Sequence, residues 1–271
     1  MINIGNLSIE NIKLGSTQVL KLYLGTNLVW EHTESSGDTP SYNFKFKGTF
    51  TDNTEYQVNC DGNSSVKVSD CLPSGYNKNN YVDIIIGDCV TTIPNYGFQS
   101  CTGLTSLTLS DNITSIGVDG FAGCKSLTSV IIPTGLTILG ETLFSNCTSL
   151  TSVTLHSGVT SIGVNTFNKC RFSTINLPSS LTTIGKQAFQ SNINLLSLDI
   201  PSGVTSIGNS AFAYCSKLTS LTFHSTTPPT CGTNILDDCK QCHIYVPAAS
   251  VDTYKAASGF STYADKIQAI S

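Results

Sequence analysis

Charge is scarce in this sequence. Only 12% of its 271 residues are charged, and 14 basic residues against 18 acidic ones leave a net charge of −4. Lysine and arginine are scattered and form no basic run, which excludes steering toward nucleic acid or an anionic membrane surface. The polar surface must therefore come mostly from serine, threonine, asparagine and glycine.

Long apolar stretches are also missing. None approaches the roughly 20 residues needed to span a bilayer. The first residues, MINIGNLSIENIKLG, lack the basic region and the continuous apolar core of a secretory signal. The sequence therefore predicts no membrane insertion, and a protein that folds in a cytosol.

Motifs of catalysis and cofactor binding are absent too. No GxSxG, HExxH, Walker or GxGxxG string occurs, and no pair of carboxylates stands out. The four histidines, which are not at ligand spacing, are predicted to be surface residues: His32, His156, His224 and His243. We expect no enzyme activity, no catalytic residue, no cofactor and no metal.

One short string, CKQCH from Cys239 to His243, does resemble a cofactor site. Its spacing matches a c-type haem attachment, and CxxC is half of many zinc sites. The chain has 11 cysteines, an odd number, so at least one thiol lacks a partner within the chain. Because nothing indicates export, we expect the cysteines to be reduced and buried as small apolar residues.

An internal repeat determines the predicted architecture. LTSLTLSDNITSIGVDGFAGCKS from Leu104 aligns without gaps with LTSVIIPTGLTILGETLFSNCTS from Leu127 and LTSVTLHSGVTSIGVNTFNKC from Leu150, a period of 23 residues. One step, after Phe167, has 22 residues. The phenylalanine column is Phe98, Phe121, Phe144, Phe167, Phe189 and Phe212, and the cysteine column is Cys101, Cys124, Cys147, Cys170 and Cys215, with Asn192 in the rung between the last two.

So short a unit cannot bury its own apolar side chains, so neighbouring units must stack around one core. Leu107 and Leu109 are two apart and point inward from a strand, the glycine after each Ile or Leu suits a turn, and Phe-x-x-Cys forms the opposite wall. The cysteine column is predicted to pack in this core, with a column of disulfides or a line of metal ligands as alternatives. In this register Cys239 is the last cysteine of the column. An ordinary β-sandwich is the alternative fold.

These segments, with their LxxLxL spacing, resemble the BspA-like (Treponema-type) leucine-rich repeats of gut Bacteroidales and parasites. The ending IYVPAASVDTYKAASGFSTYADKIQAI resembles the C-terminal cap of that family, with Ser250 as a plausible N-cap. The predicted fold is mainly β with short turns and helices: a leucine-rich-repeat solenoid with a curved parallel sheet, a small β N-terminal module and a helical C-terminal cap. The repeats span 81–247 and the cap 248–271.

The first eighty residues differ from the repeats. Residues 1–32 are predicted as a small β anchoring module of two or three strands, 33–41 as a linker, and 42–80 as a β hairpin region that turns near Asp52-Asn53 and leads into the solenoid. The candidate anchoring residues are Leu22, Tyr23, Leu24, Leu28 and Trp30. LGSTQVLKLYLGTNLVW is similar to N-terminal segments of structural and tail-associated proteins of gut Bacteroidales (crAss-like) phages.

The outward positions of the repeat strands form the candidate ligand-facing surface. They are Ser106, Thr108, Ser110, Ser129, Ile131, Ser152, Thr154, His156, Thr174, Asn176, Ser197, Asp199, Ser220, Thr222 and His224. This face can bind a protein or a glycan through hydroxyl, amide and carboxylate groups. It can equally be a solvated face kept polar for solubility, since no aromatic ring is expected within it.

The two resemblances imply two functions. The first is a non-enzymatic phage virion protein (tail, fibre or capsid-decorating), made in the host cytoplasm, with the N-terminal module docked to other virion proteins and the solenoid binding a host surface protein or glycan. A homotrimer is possible, although no heptads appear to impose it. The alternative is a BspA-like adhesion protein of the bacterial cell surface.

Overall fold

The computed structural model describes residues 2–4, 7–14, 17–24, 27–34, 44–60, 62–71, 75 and 77–270, with only the backbone in the first four of these ranges. Those four form the strands β1 (Ile2–Ile4), β2 (Leu7–Leu14), β3 (Thr17–Leu24) and β4 (Asn27–Glu34). They pair antiparallel in chain order, where the sequence predicts two or three strands.

The candidate anchoring residues lie on β3 and β4, where Leu22 pairs with Trp30 and Tyr23 with Leu28. Their role stays a prediction. β4 continues through Thr33 and Glu34, the first two residues of the predicted linker, and the rest of that linker lies outside the described residues.

A hairpin closes the N-terminal end of the solenoid. β5 (Phe44–Phe50) pairs antiparallel with both β6 (Glu55–Asn59) and β7 (Tyr81–Ile86). Phe46 and Phe50 are fully buried; the first stacks on Phe98 at 6.1 Å between ring centroids and the second on Tyr81 at 4.3 Å. The hairpin thus covers core side chains that an open solenoid end would expose.

Short parallel strands form two sides of each turn of the coil. On the first side, after β7, lie β9 (Ser106–Leu109), β11 (Ser129–Ile131), β13 (Ser152–Thr154), β16 (Ser197–Ile200), β18 (Ser220–Phe223), β20 (His243–Val246) and β21 (Ile267–Ala269). On the second lie β8 (Thr92–Ile93), β10 (Ser115–Ile116), β12 (Ile138–Leu139), β14 (Ser161–Ile162), β15 (Thr183–Ile184), β17 (Ser206–Ile207) and β19 (Thr230–Cys231). The first side is divided: in the described chain β7-β9, β11-β13 and β16-β18-β20-β21 are separate ladders rather than one curved sheet.

The Phe-x-x-Cys wall forms the third side. From Phe98 to Phe212, the amide of each phenylalanine in the column donates to a carbonyl of the next unit, at 2.8 to 3.1 Å. Two residues per unit adopt left-handed backbone, for example Asn165 (φ 54°) and Lys169 (φ 59°). This wall is continuous where the first side is interrupted, so its hydrogen bonds help to hold the units together there.

The six phenylalanine rings of the predicted column are fully buried and stacked, with successive centroids 5.3 to 6.0 Å apart. Offset stacking at this distance suits the ring quadrupoles. Burial of each ring stabilises the fold by about 1.5–3 kcal/mol. The predicted core column is confirmed.

The glycine after each Ile or Leu is predicted to serve a turn, and a turn does begin there: the Gly185 carbonyl accepts from the Ala188 amide at 3.3 Å. Gly140, Gly163 and Gly185 do not have positive φ. Gly163 and Gly185 are required by close stacking. A Cβ on Gly185 would lie 2.5 Å from the carbonyl carbon of Gly163 and one on Gly163 2.8 Å from the carbonyl oxygen of Leu139. The backbone of each unit therefore passes directly over that of the preceding unit.

The C-terminal cap contains a 3-10 helix (Ala248–Ser250), the helix α1 (Val251–Ala256) and a second 3-10 segment (Ser261–Lys266) before β21. Tyr254 and Phe260 are fully buried and pack on Phe223, as a cap requires. Ser250 is the N-cap residue of α1, as the sequence predicts, but it is buried in an αR conformation and its side chain makes no capping bond. Among the described residues no helix is long and apolar enough to cross a membrane.

Candidate functional site

Most of the predicted ligand-facing positions point away from the core. Ser106, Ser129, Ser152 and Thr154 are exposed, and Ile131 is 70% exposed although apolar. Thr108 and Thr222 are partly buried. Their role in binding stays a prediction.

Two positions were placed wrongly on this face. Ser110 is buried and its hydroxyl donates to the Asp88 carboxylate at 2.6 Å, because it follows β9 and enters the turn. His156 lies beyond β13. Its Nδ1 accepts from the amide of Gly158 at 3.0 Å and its Nε2 lies 3.1 Å from the Leu136 carbonyl oxygen, so the ring closes a turn.

The 22-residue step has a local cause. In the regular units a leucine stands three residues after the cysteine, as Leu127 does after Cys124, but in the short unit Phe172 follows Cys170 by two. The ring of Phe172 occupies the leucine position in the core, fully buried, with its edge toward Phe167 at 5.5 Å. One residue is therefore missing from the turn that leads into the first side of the coil.

The missing residue disrupts the strand ladder. In regular units the residue after the leucine bonds to its equivalent in the previous unit, as the Thr151 amide does to the Thr128 carbonyl at 2.9 Å. In the short unit this bond is replaced by one from the Arg171 amide to the Leu150 carbonyl, also at 2.9 Å, which lies two residues earlier in the short unit but only one residue earlier in the unit before it. Continuing in that slipped register would turn Ile175 outward. Instead Ile175 stays buried, and the segment gives up strand pairing.

As a result, Thr174 and Asn176, which were predicted on a strand, lie in an irregular segment. Within the described chain, the backbone amides and carbonyls of residues 174–177 have no hydrogen bond to β13 or β16. Main-chain groups that elsewhere hold two units together are thus open to solvent or to a ligand.

A groove lies along this irregular segment, which we call the short-repeat groove. Its volume is about 590 Å³. It is lined by Thr174, Ile175, Asn176, Leu177, Ser179, Ser197, Leu198, Asp199, Pro201, Ser202 and His224. Because Ser179 and Ser202 follow equivalent prolines in successive units, the lining segments 174–179 and 197–202 run side by side and the groove follows the strand direction.

The groove has an apolar floor and a polar rim. Ile175 and Leu198 are buried and Leu177 is half-buried, whereas the side chain of Asp199 is 77% exposed. His224 Nε2 lies 3.7 Å from Asp199 Oδ1 and is also largely exposed, so this contact is weak. No lysine or arginine is among these described lining residues. The groove therefore favours neutral or positively charged groups.

A smaller hollow continues the face beyond the groove. It has a volume of about 220 Å³ and is lined by Ser220, Thr222, Tyr245 and Ile270. Asp199 of β16 is in register with Thr222 of β18, which is in register with Tyr245 of β20. A tyrosine ring therefore stands on the ligand-facing surface, where the sequence predicts no aromatic ring.

The cysteine column lies inside the core as predicted. The thiols of Cys124, Cys147, Cys170, Cys215 and Cys239 each donate to the carbonyl of a phenylalanine in the previous unit, at 3.1 to 3.4 Å. Burial raises the pKa of Cys147 to about 12 and that of Cys239 to about 11. Such thiols are poor nucleophiles near neutral pH, since the thiolate is the reactive form.

In CKQCH, Cys239 and Cys242 are buried while His243 is exposed on β20, as the repeat register predicts. Burial also raises the pKa of Cys242, to about 12. The structure as described contains no group of three or more His, Cys, Asp or Glu side chains positioned to hold a metal ion.

The expectation that all cysteines are reduced is wrong at one pair. Cys60, just after β6, and Cys89, just after β7, form a disulfide with their Cα atoms 6.1 Å apart. Cys60 is exposed and Cys89 is partly buried, whereas eight of the nine free cysteines are buried and Cys231 is intermediate. Neither paired cysteine belongs to the repeat column, and their separation of 29 residues carries no sequence signal of pairing.

Sequence reasoning named Thr174, Asn176, Ser197, Asp199 and His224 but did not bring them together as a groove. It missed the other six lining residues, which are Ile175, Leu177, Ser179, Leu198, Pro201 and Ser202. The available signal was the 22-residue step, which marks one of the two places where the ladder of the first side breaks; the other, between β9 and β11, has the regular spacing.

Comparison with known proteins agrees with this architecture. The BspA type leucine rich repeat region family matches residues 74–196 and 182–261, with six copies. A leucine-rich-repeat protein of T. pallidum, known from its crystal structure, is 21% identical, with a TM-score of 0.55 over 76% of this chain and 90% of that one. A leucine rich cell surface protein of Faecalibacterium prausnitzii A2-165 is also 21% identical, with a TM-score of 0.40 over 80% of this chain and 82% of that one.

No curated protein matches the sequence. The family match covers most of the chain, and the T. pallidum structure shares the fold. The chain therefore belongs to the family of BspA type leucine-rich-repeat proteins.

Proposed function

We propose that this protein is a non-enzymatic binding protein of the bacterial cell surface, and that the first side of its solenoid holds a protein or glycan partner. The observation that carries the proposal is the short-repeat groove with the adjoining hollow at Tyr245. Together they form a concave, mixed polar and apolar surface on an otherwise regular solenoid. Sites of this character are where ligands bind.

The disulfide supports a location outside the cytoplasm. The two cysteines of the pair are among the least buried, while the remaining thiols are enclosed by the core or partly shielded. Disulfides persist in oxidising compartments and are rare where thiols are kept reduced. This pattern is what an exported protein requires, because exposed thiols would otherwise pair wrongly.

The phage virion hypothesis rests chiefly on the N-terminal resemblance. No phage protein is among the matches described above, and the side chains of the anchoring residues lie outside the described part of the chain. The bacterial surface protein is accordingly the function we propose, and the virion protein is the competing outcome of the test.

The location can be tested by quantitative mass spectrometry of surface-shaved cells, cytosol and purified phage particles from the same culture. Enrichment of the protein in the surface fraction is expected. Enrichment in particles instead would overturn the location.

Binding can be tested with the purified full chain on mammalian and bacterial cells and on arrays of glycans and extracellular proteins. A variant of the first side, Ser152→Arg with Thr222→Arg, should lose the binding that the wild type shows. A control with equal added charge elsewhere, Ser115→Arg with Ser216→Arg, should keep it. Equal binding by both variants would contradict the proposed face.

A further inference from the structure

We propose that the short-repeat groove binds an extended peptide that carries a basic side chain. This inference deepens the proposed function by naming the class of partner. It rests on that function only in assuming that the first side of the solenoid is a binding face. Three independent features of the groove point to a peptide.

The first feature is the unpaired main chain. Residues 174–177 offer backbone amides and carbonyls that no neighbouring described strand uses. An extended peptide presents donors and acceptors in alternation, which is how main-chain recognition at a sheet gains affinity. A peptide backbone in the groove would offer hydrogen-bond partners to these groups.

The second feature is the shape of the groove and the spacing of its floor. The groove runs parallel to residues 174–179 and 197–202, and its volume of about 590 Å³ has room for several residues of extended chain. Ile175 and Leu177 are two residues apart on the floor. This matches the period at which an extended peptide points side chains to one side. Alternate apolar side chains of the ligand would rest on these two residues.

The third feature is charge. Asp199 stands on the rim with 77% of its side chain exposed, and its nearest basic group is His224 at 3.7 Å. The protein as a whole carries a net charge of −4. A lysine or arginine of the peptide that points away from the floor would meet the Asp199 carboxylate, so a basic ligand is favoured over an acidic one.

A defined probe can test this. The probe is a fluorescein-labelled six-residue peptide of alternating valine and threonine with one central threonine replaced by lysine. Its binding to the full chain is followed by fluorescence anisotropy. Replacing the lysine by glutamate should weaken binding about tenfold. N-methylation of alternate amides should do the same, because it removes main-chain donors.

Protein variants locate the site. Asp199→Asn should weaken binding of the lysine peptide about tenfold. It should change binding of the glutamate peptide by less than twofold. Ser197→Trp, on an exposed groove position, should block the peptide, whereas Ser129→Trp at the equivalent exposed position of β11 should not.

A repaired repeat gives the sharpest variant. Inserting one serine between Arg171 and Phe172, together with Phe172→Leu, restores the regular 23-residue spacing and should rebuild the ladder. Peptide binding should then fall at least tenfold while circular dichroism shows an intact fold. If the repaired chain does not fold, the Ser197→Trp and Ser129→Trp pair decides.

The inference would be overturned if the peptide did not bind, or if Ser197→Trp bound it as well as the wild type does. It would also be overturned if the groove bound an oligosaccharide such as chitohexaose instead of the peptide, with Ser197→Trp blocking the oligosaccharide. The same results leave the proposed function intact if the whole protein still binds cells through its first side. Loss of both the cell binding and the peptide binding would refute both.

Discussion

The Asn192 side-chain amide donates to the Phe167 carbonyl oxygen at 2.8 Å, the position that a cysteine thiol takes in the units on either side. The same amide also donates to the Phe189 carbonyl at 2.9 Å. Its Oδ1 is buried and has no hydrogen-bond partner among the described atoms. Each unit of the column therefore has a small side-chain donor that bonds to a phenylalanine carbonyl. A thiol or an amide can supply this donor.

This relationship predicts a ranking of stabilities at position 192. Asn192→Ala removes the donor from two buried carbonyls and leaves a cavity, so it should lower the free energy of unfolding by about 2–3 kcal/mol. Asn192→Cys restores one donor and removes the orphan Oδ1, so it should recover more than half of that loss. Urea unfolding followed by circular dichroism measures the ranking. Equal stability of the alanine and cysteine variants would show that the donor contributes nothing.

The stacked glycines predict a graded response to a single methyl group. Gly185→Ala places a Cβ 2.5 Å from the carbonyl carbon of Gly163, a backbone atom that cannot move aside, and should cost about 2–3 kcal/mol. Gly140→Ala meets only the carbonyl oxygen of Ile116 at 3.1 Å and should cost less than about 1 kcal/mol. Thermal unfolding of the two variants compares them directly. A larger loss for Gly140→Ala would contradict the stacking explanation.

The disulfide predicts a defined redox effect. Cys60→Ser with Cys89→Ser should lower the free energy of unfolding by about 2–4 kcal/mol, since the crosslink restricts the unfolded chain across a separation of 29 residues. Thiol titration of the fully denatured, unreduced protein should find nine free thiols, because two of the 11 cysteines are paired. A count of 11 would show that the pair does not form. Cys231→Ser, which alters a cysteine outside the bridge, is the control for a general effect of cysteine loss.

Buried thiols predict alkaline instability. The folded pKa of Cys147 is about 12 and that of Cys242 about 12, both above the ordinary thiol value near 9. A raised pKa means that the folded state holds its proton more tightly than the unfolded state. The stabilising contribution is therefore complete below pH 9 and is lost as the pH rises from 9 toward 12.

Each such thiol should lower the free energy of unfolding by about 1.4 kcal/mol per pH unit in that range. Urea unfolding between pH 8 and 10.5 measures the slope. Cys147→Ala should reduce the slope by the contribution of one thiol, whatever its effect on stability at pH 7. A slope unchanged by this substitution would refute the assignment.

Much of the fold could be predicted from sequence because the residues of each core column recur at a fixed spacing along the chain. Phe121 and Phe144 are 23 residues apart, and a solenoid turns that spacing into a stack of rings 5.7 Å apart. The same register placed Cys239 in the core. In these columns the position of a side chain relative to the core depends only on the repeat, so no long-range information was needed, whereas local alternation alone misplaced Ser110 and His156.

The groove could not be predicted in the same way. The missing residue between Cys170 and Phe172 is visible in the sequence, but its effect depends on a competition among three neighbouring units. The segment could keep its strand pairing and expose Ile175, or keep Ile175 buried and lose the pairing. The energies of burial and hydrogen bonding in the packed molecule decided for burial.

By itself, the sequence determined the period, the core columns and the repeat family, because these follow from which side chains recur and how apolar they are. Only the tertiary structure decided that Gly185 is needed for close backbone contact, that Cys60 reaches Cys89, and that the segment from Thr174 to Leu177 lies unpaired beside β16. Each of these depends on distances between residues far apart in the chain. Such distances are set by the packing of whole units, and the sequence of a single repeat does not determine them.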